Sequence, residues 1–210
     1  MTYGELRDYV LQLLNQYSVA GTTVPATYNN QADYLARIPG MANDAITEIA
    51  TTVRKIPVLI SLNTLWSEQV GDMTRFLMPE DFFQLQSGSV VRTIKGRYLH
   101  TNLYTLQGRV FLLVPTEELK EGDFDIVYYR QPQLLSATPN DDDELDNVPE
   151  THVAVALYVA GQLAAFEDAY LSTKYINQYA DRLSGMQPPI TAEAHSADDV
   201  YGFSNPFLLY

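Results

Sequence analysis

Residues 149–168 read PETHVAVALYVAGQLAAFED. Pro149 and Glu150 suit the first turn of a helix, and the 14 residues from Val153 to Phe166 are apolar apart from Gln162. A membrane-spanning helix needs about 20 apolar residues, so this run is too short to cross a bilayer. A helix that is apolar on every side must instead be covered on every side. We therefore predict that the chain's own core covers one side of this helix, and that either the N-terminal helices or a neighbouring subunit cover the other.

Helical patterns on both sides of this helix supply its predicted neighbours. Residues 1–57 hold two patterns of apolar residues at helical spacing, and Thr2 with Glu5 forms a capping box at the start of the first. Pro39 lies within the second pattern and predicts a kink or a helix start. After residue 168 a further helical pattern runs to Gly185. We expect residues 149–186 to form a helical hairpin that packs with residues 1–57.

The segments between and after these helices have a different composition. Residues 58–133 are short runs of β-branched and aromatic residues separated by glycines, which is typical of antiparallel strands. Residues 134–148 form an acidic linker, and residues 187–210 contain three prolines and no Lys or Arg. The predicted fold class is therefore α+β. It is a helical bundle of N-terminal helices and a C-terminal helical hairpin, with an inserted antiparallel β module and an extended C-terminal arm.

Charge is distributed unevenly along the chain. Residues 1–105 hold nine acids and eight bases, whereas residues 106–210 hold seventeen acids and five bases. Tight binding of nucleic acid needs Lys and Arg to displace the counterions of the phosphates. We therefore do not expect this protein to grip DNA, although a surface past which DNA slides without being held is compatible with this charge.

Residue patterns of active sites and cofactor sites are absent from the sequence. The chain has no cysteine, which excludes disulfides and thiol catalysis, and its closest glycines, Gly88 and Gly96, are too far apart for a phosphate-binding loop. The three histidines lie far apart in the sequence. Neighbouring carboxylates such as Glu167 and Asp168 do not face each other on a helix. We expect no enzyme activity, no metal and no cofactor.

Interaction chemistry is better represented than catalytic chemistry. The small and apolar residues of the central helix would let another helix approach closely, either from a neighbouring subunit or from the N-terminal helices: Val153, Leu157, Ala160, Gly161 and Ala164. The C-terminal arm carries large apolar residues that are costly to leave in water. We expect it either to anchor in the groove of a partner or to fold back on its own subunit, through Tyr201, Phe203, Pro206, Phe207, Leu208, Leu209 and Tyr210.

The order of these parts resembles a known family. The segment Tyr128-Tyr129-Arg130-Gln131-Pro132 closes the β-rich region, and the acidic linker and Val148-Pro149-Glu150 lead into the Ala-rich helix. That helix ends in Glu167-Asp168, and a helix with Tyr175 and Tyr179 follows. This arrangement is similar to the head–tail adaptor proteins of tailed bacteriophages, also called head-completion or connector proteins.

The resemblance implies a role in the virion, at the head–tail junction, after assembly in the cytoplasm of the bacterial host. It implies a ring, commonly of twelve copies, that docks beneath the portal protein and continues its DNA channel. The helices would form the ring wall, the C-terminal arm would insert against the portal, and the β module would face a downstream tail or nozzle protein. Double-stranded DNA would pass through without specific binding, and no membrane is involved.

The acidic linker offers candidates for residues that face such a channel. A negatively charged bore repels the DNA backbone, so DNA can move along it without being held. The candidates form one consecutive group: Asp141, Asp142, Asp143 and Glu144.

Two alternatives stay open from the sequence. One is a structural component of the tail tube or baseplate that never touches the portal. The other, from a different class, is a glycan-binding or hydrolytic accessory protein in which Trp66, Tyr98 and Tyr104 of the β module stack on sugars.

Overall fold

The computed structural model describes residues 1–14, 28–94, 97–101, 103–108, 110–120 and 122–186. These residues form two compact units. Among the described residues, a helical unit comprises Met1–Ile56 together with residues 132–186, and a β unit comprises Pro57–Gln131. The predicted α+β class, with antiparallel sheets between the N-terminal helices and a C-terminal helix pair, is confirmed. The predicted C-terminal arm, residues 187–210, lies outside the described residues.

The helical unit contains four helices. They are α1 (Tyr3–Leu13), α2 (Tyr28–Glu48), α3 (His152–Ala164) and α4 (Ala169–Met186). The predicted capping box starts α1, where Glu5 N donates to Thr2 Oγ1 at 3.3 Å and Thr2 N donates to Glu5 Oε2 at 3.0 Å. Helix α2 runs through Pro39 and continues as a π-helical turn, Ile49–Val53. A short 3-10 turn, Pro149–Thr151, leads into α3.

Helix α3 lies at the centre of the helical unit, with other helices of the same chain around it. It packs against α1, α2 and α4, and Val155, Val159 and Leu163 are fully buried. Gly161 allows the closest approach, because a Cβ atom at this position would lie 2.8 Å from Ile176 Cδ1 and 3.3 Å from the backbone nitrogen of Ile176. The absence of a side chain at Gly161 therefore brings α3 and α4 together.

The β unit consists of two four-stranded antiparallel sheets. The strands in the described residues are β1 (Ile56–Ser61), β2 (Ser67–Val70), β3 (Met73–Leu77), β4 (Phe82–Ile94), β5 (Arg97–His100), β6 (Thr105–Gln107), β7 (Phe111–Pro115) and β8 (Asp123–Arg130). One sheet has the strand order β1-β8-β4-β5 and the other β2-β3-β7-β6.

Both sheets contribute to one apolar core in the β unit. Phe76 and Leu112 from one sheet and Phe124 and Ile126 from the other are buried in a single cluster. The tight turn between β2 and β3 places Gly71 at φ +60°, a conformation that glycine adopts without strain. In the described part of the chain, no helix has both the length and the apolar character needed to cross a membrane.

The close packing at Gly161 yields a stability prediction. Gly161→Val forces a branched side chain against the backbone of Ile176, and such overpacking costs about 1–3 kcal/mol. Gly40→Ala is the matched control, because Gly40 lies in α2 with no atom within 4 Å of its added Cβ. Replacing an exposed helical glycine by alanine stabilises by up to about 1 kcal/mol. Urea denaturation measures both changes, and an unchanged midpoint for Gly161→Val would contradict this packing.

Candidate interaction surfaces

Among the described residues, the His, Asp and Glu side chains do not cluster into a metal site. No group of three or more His, Asp or Glu residues there is arranged to hold a metal ion. His152 is buried, and its Nδ1 lies 3.1 Å from the amino nitrogen of Met1. Burial, followed by the positive charge of that amino group, lowers the pKa of His152. These observations describe a histidine inside the helical core.

The proposed intersubunit residues of α3 are covered mainly by the chain's own helices. Leu157, Ala160, Gly161 and Ala164 are buried, and Val153 is half-buried. The sequence left open whether helices of the same chain or of a neighbouring subunit pack against α3. In the structure, helices of the same chain do so. A contact of this helix with a neighbouring subunit stays a prediction.

An exposed aromatic side chain, Phe166, lies two residues after the end of α3. Phe166 is 63% exposed, and the guanidinium of Arg37 lies 4.7 Å from its ring centroid. Sequence reasoning missed this pair, because Arg37 and Phe166 are 129 residues apart.

The acidic linker lies along the start of α1. Tyr3 N donates to Asp143 O at 2.7 Å, and Gly4 N donates to Asp141 O at 3.0 Å. The carboxylate of Asp141 forms an ion pair with Arg7 at 2.5 Å, whereas the side chains of Asp142 and Glu144 are exposed. The linker is thus held against α1 by two backbone hydrogen bonds and one ion pair, while the carboxylates of Asp142 and Glu144 face solvent. That these acids face a channel stays a prediction.

Tyr175 and Tyr179 attach α4 to the N-terminal helices. The hydroxyl of Tyr175 donates to Leu13 O at 2.6 Å, and that of Tyr179 donates to Glu48 Oε2 at 2.7 Å. The ring of Tyr158 on α3 lies 5.2 Å from the ring of Tyr179, measured between centroids. Burial, then the hydrogen bond to the Glu48 carboxylate, raises the pKa of Tyr179 above the ordinary value of 10.0.

An exposed apolar row crosses one face of the β unit. Leu77 lies opposite Phe111 in the sheet, and Leu77 N donates to Trp66 O at 2.9 Å on its other side. Trp66 is 54% exposed and Leu77 40% exposed, and Phe111 is half-buried. We call Trp66, Leu77 and Phe111 the apolar row.

Polar groups border the apolar row. Glu68 and Arg75 form an ion pair across β2 and β3, and the guanidinium of Arg75 lies 4.3 Å from the ring centroid of Phe111. An apolar centre with a polar border is the usual composition of a protein–protein interface. Sequence reasoning assigned Trp66 only to possible sugar stacking, because the strand register that aligns it with Leu77 was not available. Tyr104 packs against the core of the β unit, and the side chain of Tyr98 lies outside the described residues.

The proposed partner-binding residues of the C-terminal arm all lie outside the described residues. They are Tyr201, Phe203, Pro206, Phe207, Leu208, Leu209 and Tyr210. Their role stays a prediction.

Comparison with known proteins adds one match. The family model described as SU10 adaptor protein matches residues 1–201, which include both structural units. No curated protein matches the chain.

The Tyr179 hydrogen bond yields a pH-dependent prediction. Tyr179→Phe loses a hydrogen bond to a carboxylate, at a cost of about 1 kcal/mol near neutral pH. Because the pKa of Tyr179 is higher in the folded than in the unfolded protein, its stabilising contribution is complete below pH 10 and is lost as the pH rises towards the folded-state value. The stability difference between the original protein and Tyr179→Phe should therefore shrink between about pH 8 and about pH 11.

Urea denaturation at the two pH values measures that difference. The matched control is Tyr170→Phe, because Tyr170 is exposed at the surface of α4. A difference that stays constant with pH would show that the Tyr179 hydroxyl is not held by Glu48.

Proposed function

This chain belongs to the SU10 adaptor protein family of phage head–tail adaptors, and we propose that it forms a ring beneath the portal protein. In this proposal the ring continues the DNA channel of the portal and provides the docking surface for the tail. The match over residues 1–201 is the observation that carries the proposal. Family membership itself implies a structural, non-enzymatic role in the virion and binding to other virion proteins.

The charge of the chain supports the proposed channel. The formal net charge is −13, and the half of the chain that contains the acidic linker has few bases. Exposed carboxylates such as Asp142 and Glu144 repel phosphates, so a bore lined by such groups lets DNA pass without holding it. Twelve copies, the number common in such rings, is the stoichiometry that we propose.

The β unit supports the proposed contact with the tail. Of the ten large apolar residues that are exposed in the described part of the chain, seven belong to Pro57–Gln131. Trp66 and Leu77 of the apolar row are two of these seven, and they are neighbours across adjacent strands together with the half-buried Phe111. We propose that the apolar row binds the downstream tail or nozzle protein.

The C-terminal arm is the proposed contact with the portal. Its last ten residues include Tyr201, Phe203, Phe207 and Leu208, and the whole segment 187–210 lacks Lys and Arg. An extended apolar segment of this kind binds in grooves of a partner.

Membership in an adaptor family favours this role over a tail-tube or baseplate component. A sugar-binding role has less support, because Trp66 and Tyr104 do not form one exposed platform: Tyr104 packs against the core.

Removal of the C-terminal arm tests the contact with the portal. A chain that ends at Met186 should still fold, as a cooperative thermal unfolding transition would show, but no longer bind purified portal protein. Analytical ultracentrifugation of the mixture measures that binding. A matched control replaces only the three acids of the arm, Glu193→Gln, Asp198→Asn and Asp199→Asn, and should still bind. Portal binding by the truncated chain would refute the proposed role of the arm.

Substitution within the apolar row tests the contact with the tail. Trp66→Ser should weaken tail attachment by about 30-fold, because a central interface tryptophan contributes about 2 kcal/mol or more. Leu134→Ser is the matched control, since Leu134 in the helical unit is 53% exposed against 54% for Trp66. Joining of tails to filled heads in vitro measures the effect. Equal attachment by both variants would exclude the apolar row as the docking surface.

A further inference from the structure

A second apolar feature of the β unit is a groove between β4 and β6. It has a volume of about 220 Å³ and is lined by Phe82, Phe83, Gln84 and Leu85 of β4, with Leu106 of β6 and Gly108 of the following turn. An apolar cavity of about 150 Å³ is large enough to bind benzene. The groove can therefore accept an aromatic or large aliphatic side chain.

An irregularity in β4 gives the groove its aromatic lining. Phe82 pairs with Arg130 and Gln84 pairs with Tyr129, so Phe83 is an extra residue in β4. Consecutive residues of a regular strand point to opposite faces of the sheet. The bulge changes that alternation locally and lets both Phe82 and Phe83 line the same groove.

The strand beside the groove is the edge of its sheet. Strand β6 pairs with β7 on one side, and within the described part of the chain it has no strand on the other. All three residues of β6 are exposed, and Leu106 lines the groove. An edge strand offers backbone donors and acceptors to an added strand, and an adjacent pocket accepts the side chains of that strand.

We propose that the C-terminal residues 200–210 of the same chain dock in this groove and pair with β6 before the protein meets its partners. The tether between Met186 and this segment is residues 187–199, and these 13 residues span up to roughly 45 Å when extended, which lets the segment reach other sites on the same molecule. Residues 200–210 include three aromatic and two leucine side chains within their last eight positions. These match the apolar lining of the groove.

No other undescribed stretch of comparable length matches the groove as well. Residues 15–27 contain only Tyr17, Val19 and Val24 as large apolar residues. Pro206 lacks a backbone donor, and proline is tolerated in an edge strand. An added strand of residues 200–210 would itself be an edge, so Pro206 is compatible with pairing on β6.

Docking in the groove goes beyond the proposed function and does not depend on the ring or the portal. It removes the apolar side chains of residues 200–210 from water in the unassembled protein, and this burial offsets the entropy cost of ordering the segment. In the adaptor role, the portal then competes with the groove for the same residues, so the arm is released at the place of assembly.

Disulfide trapping in the full chain tests the proposal, because the natural sequence has no cysteine. Gln107→Cys at the β6 edge is combined in turn with Gly202→Cys, Ser204→Cys and Asn205→Cys, which spare the apolar side chains of the arm. At least one pair should form an intramolecular disulfide about tenfold faster than its control, because only paired strands hold the two Cα atoms within the range of about 4.4–6.8 Å that a disulfide requires. Mass spectrometry of the oxidised monomer measures the rate.

The control for each pair replaces Gln107→Cys by Val70→Cys. Val70 is 49% exposed and lies on β2, at the opposite edge of the same sheet. Equal rates at Gln107 and Val70 would overturn the proposal. Disulfides that form only between two molecules would also overturn it, because they would show the arm docking on a second copy.

Hydrogen exchange gives a second readout that needs no cysteine. Replacing Phe207, Leu208 and Leu209 by serine in the full chain should speed exchange of the β6 amides by about tenfold while leaving those of β2 unchanged. Unchanged exchange at β6 would overturn the proposal even if the cysteine variants failed to fold.

Discussion

The structure depends on the need to cover a helix that is apolar on all sides. Helix α3 cannot lie at the surface, so α1, α2 and α4 surround it, and these helices come from opposite ends of the sequence. Gly161 sets the closest approach between α3 and α4, and Tyr175 and Tyr179 tie α4 to the N-terminal helices through hydrogen bonds. In the sequence, the β unit is an insertion between the two segments that form the helical unit.

Most of the exposed large apolar residues in the described part of the chain belong to the β unit. The core of the β unit is closed by Phe76, Phe124 and their neighbours, yet Trp66 and Leu77 remain at the surface in register with each other. A protein that acts by joining others needs such surface, because burial of apolar area is the main source of binding free energy. The groove beside β6 extends this principle to the chain's own C-terminal segment.

The sequence predicted the secondary-structure elements better than the arrangement of side chains at the protein surface. Helix α3 and the capping box at Thr2 were predictable because both depend on residues close in sequence. The pairing of Arg37 with Phe166, the apolar row and the bulge at Phe83 were not, since each depends on contacts between residues far apart in the chain or on strand register. The linker was predictable as acidic, but its attachment to α1 was not, because that attachment uses backbone atoms and an ion pair between Arg7 and Asp141, which are far apart in the sequence.

The central claim is that this protein acts by assembly with other virion proteins and without chemistry of its own. Native mass spectrometry of the purified full-length protein, alone and mixed with portal protein, tests that claim most directly. We expect a closed ring, or single chains that associate into a ring when portal protein is added. Single chains that stay single in the presence of portal protein would contradict it.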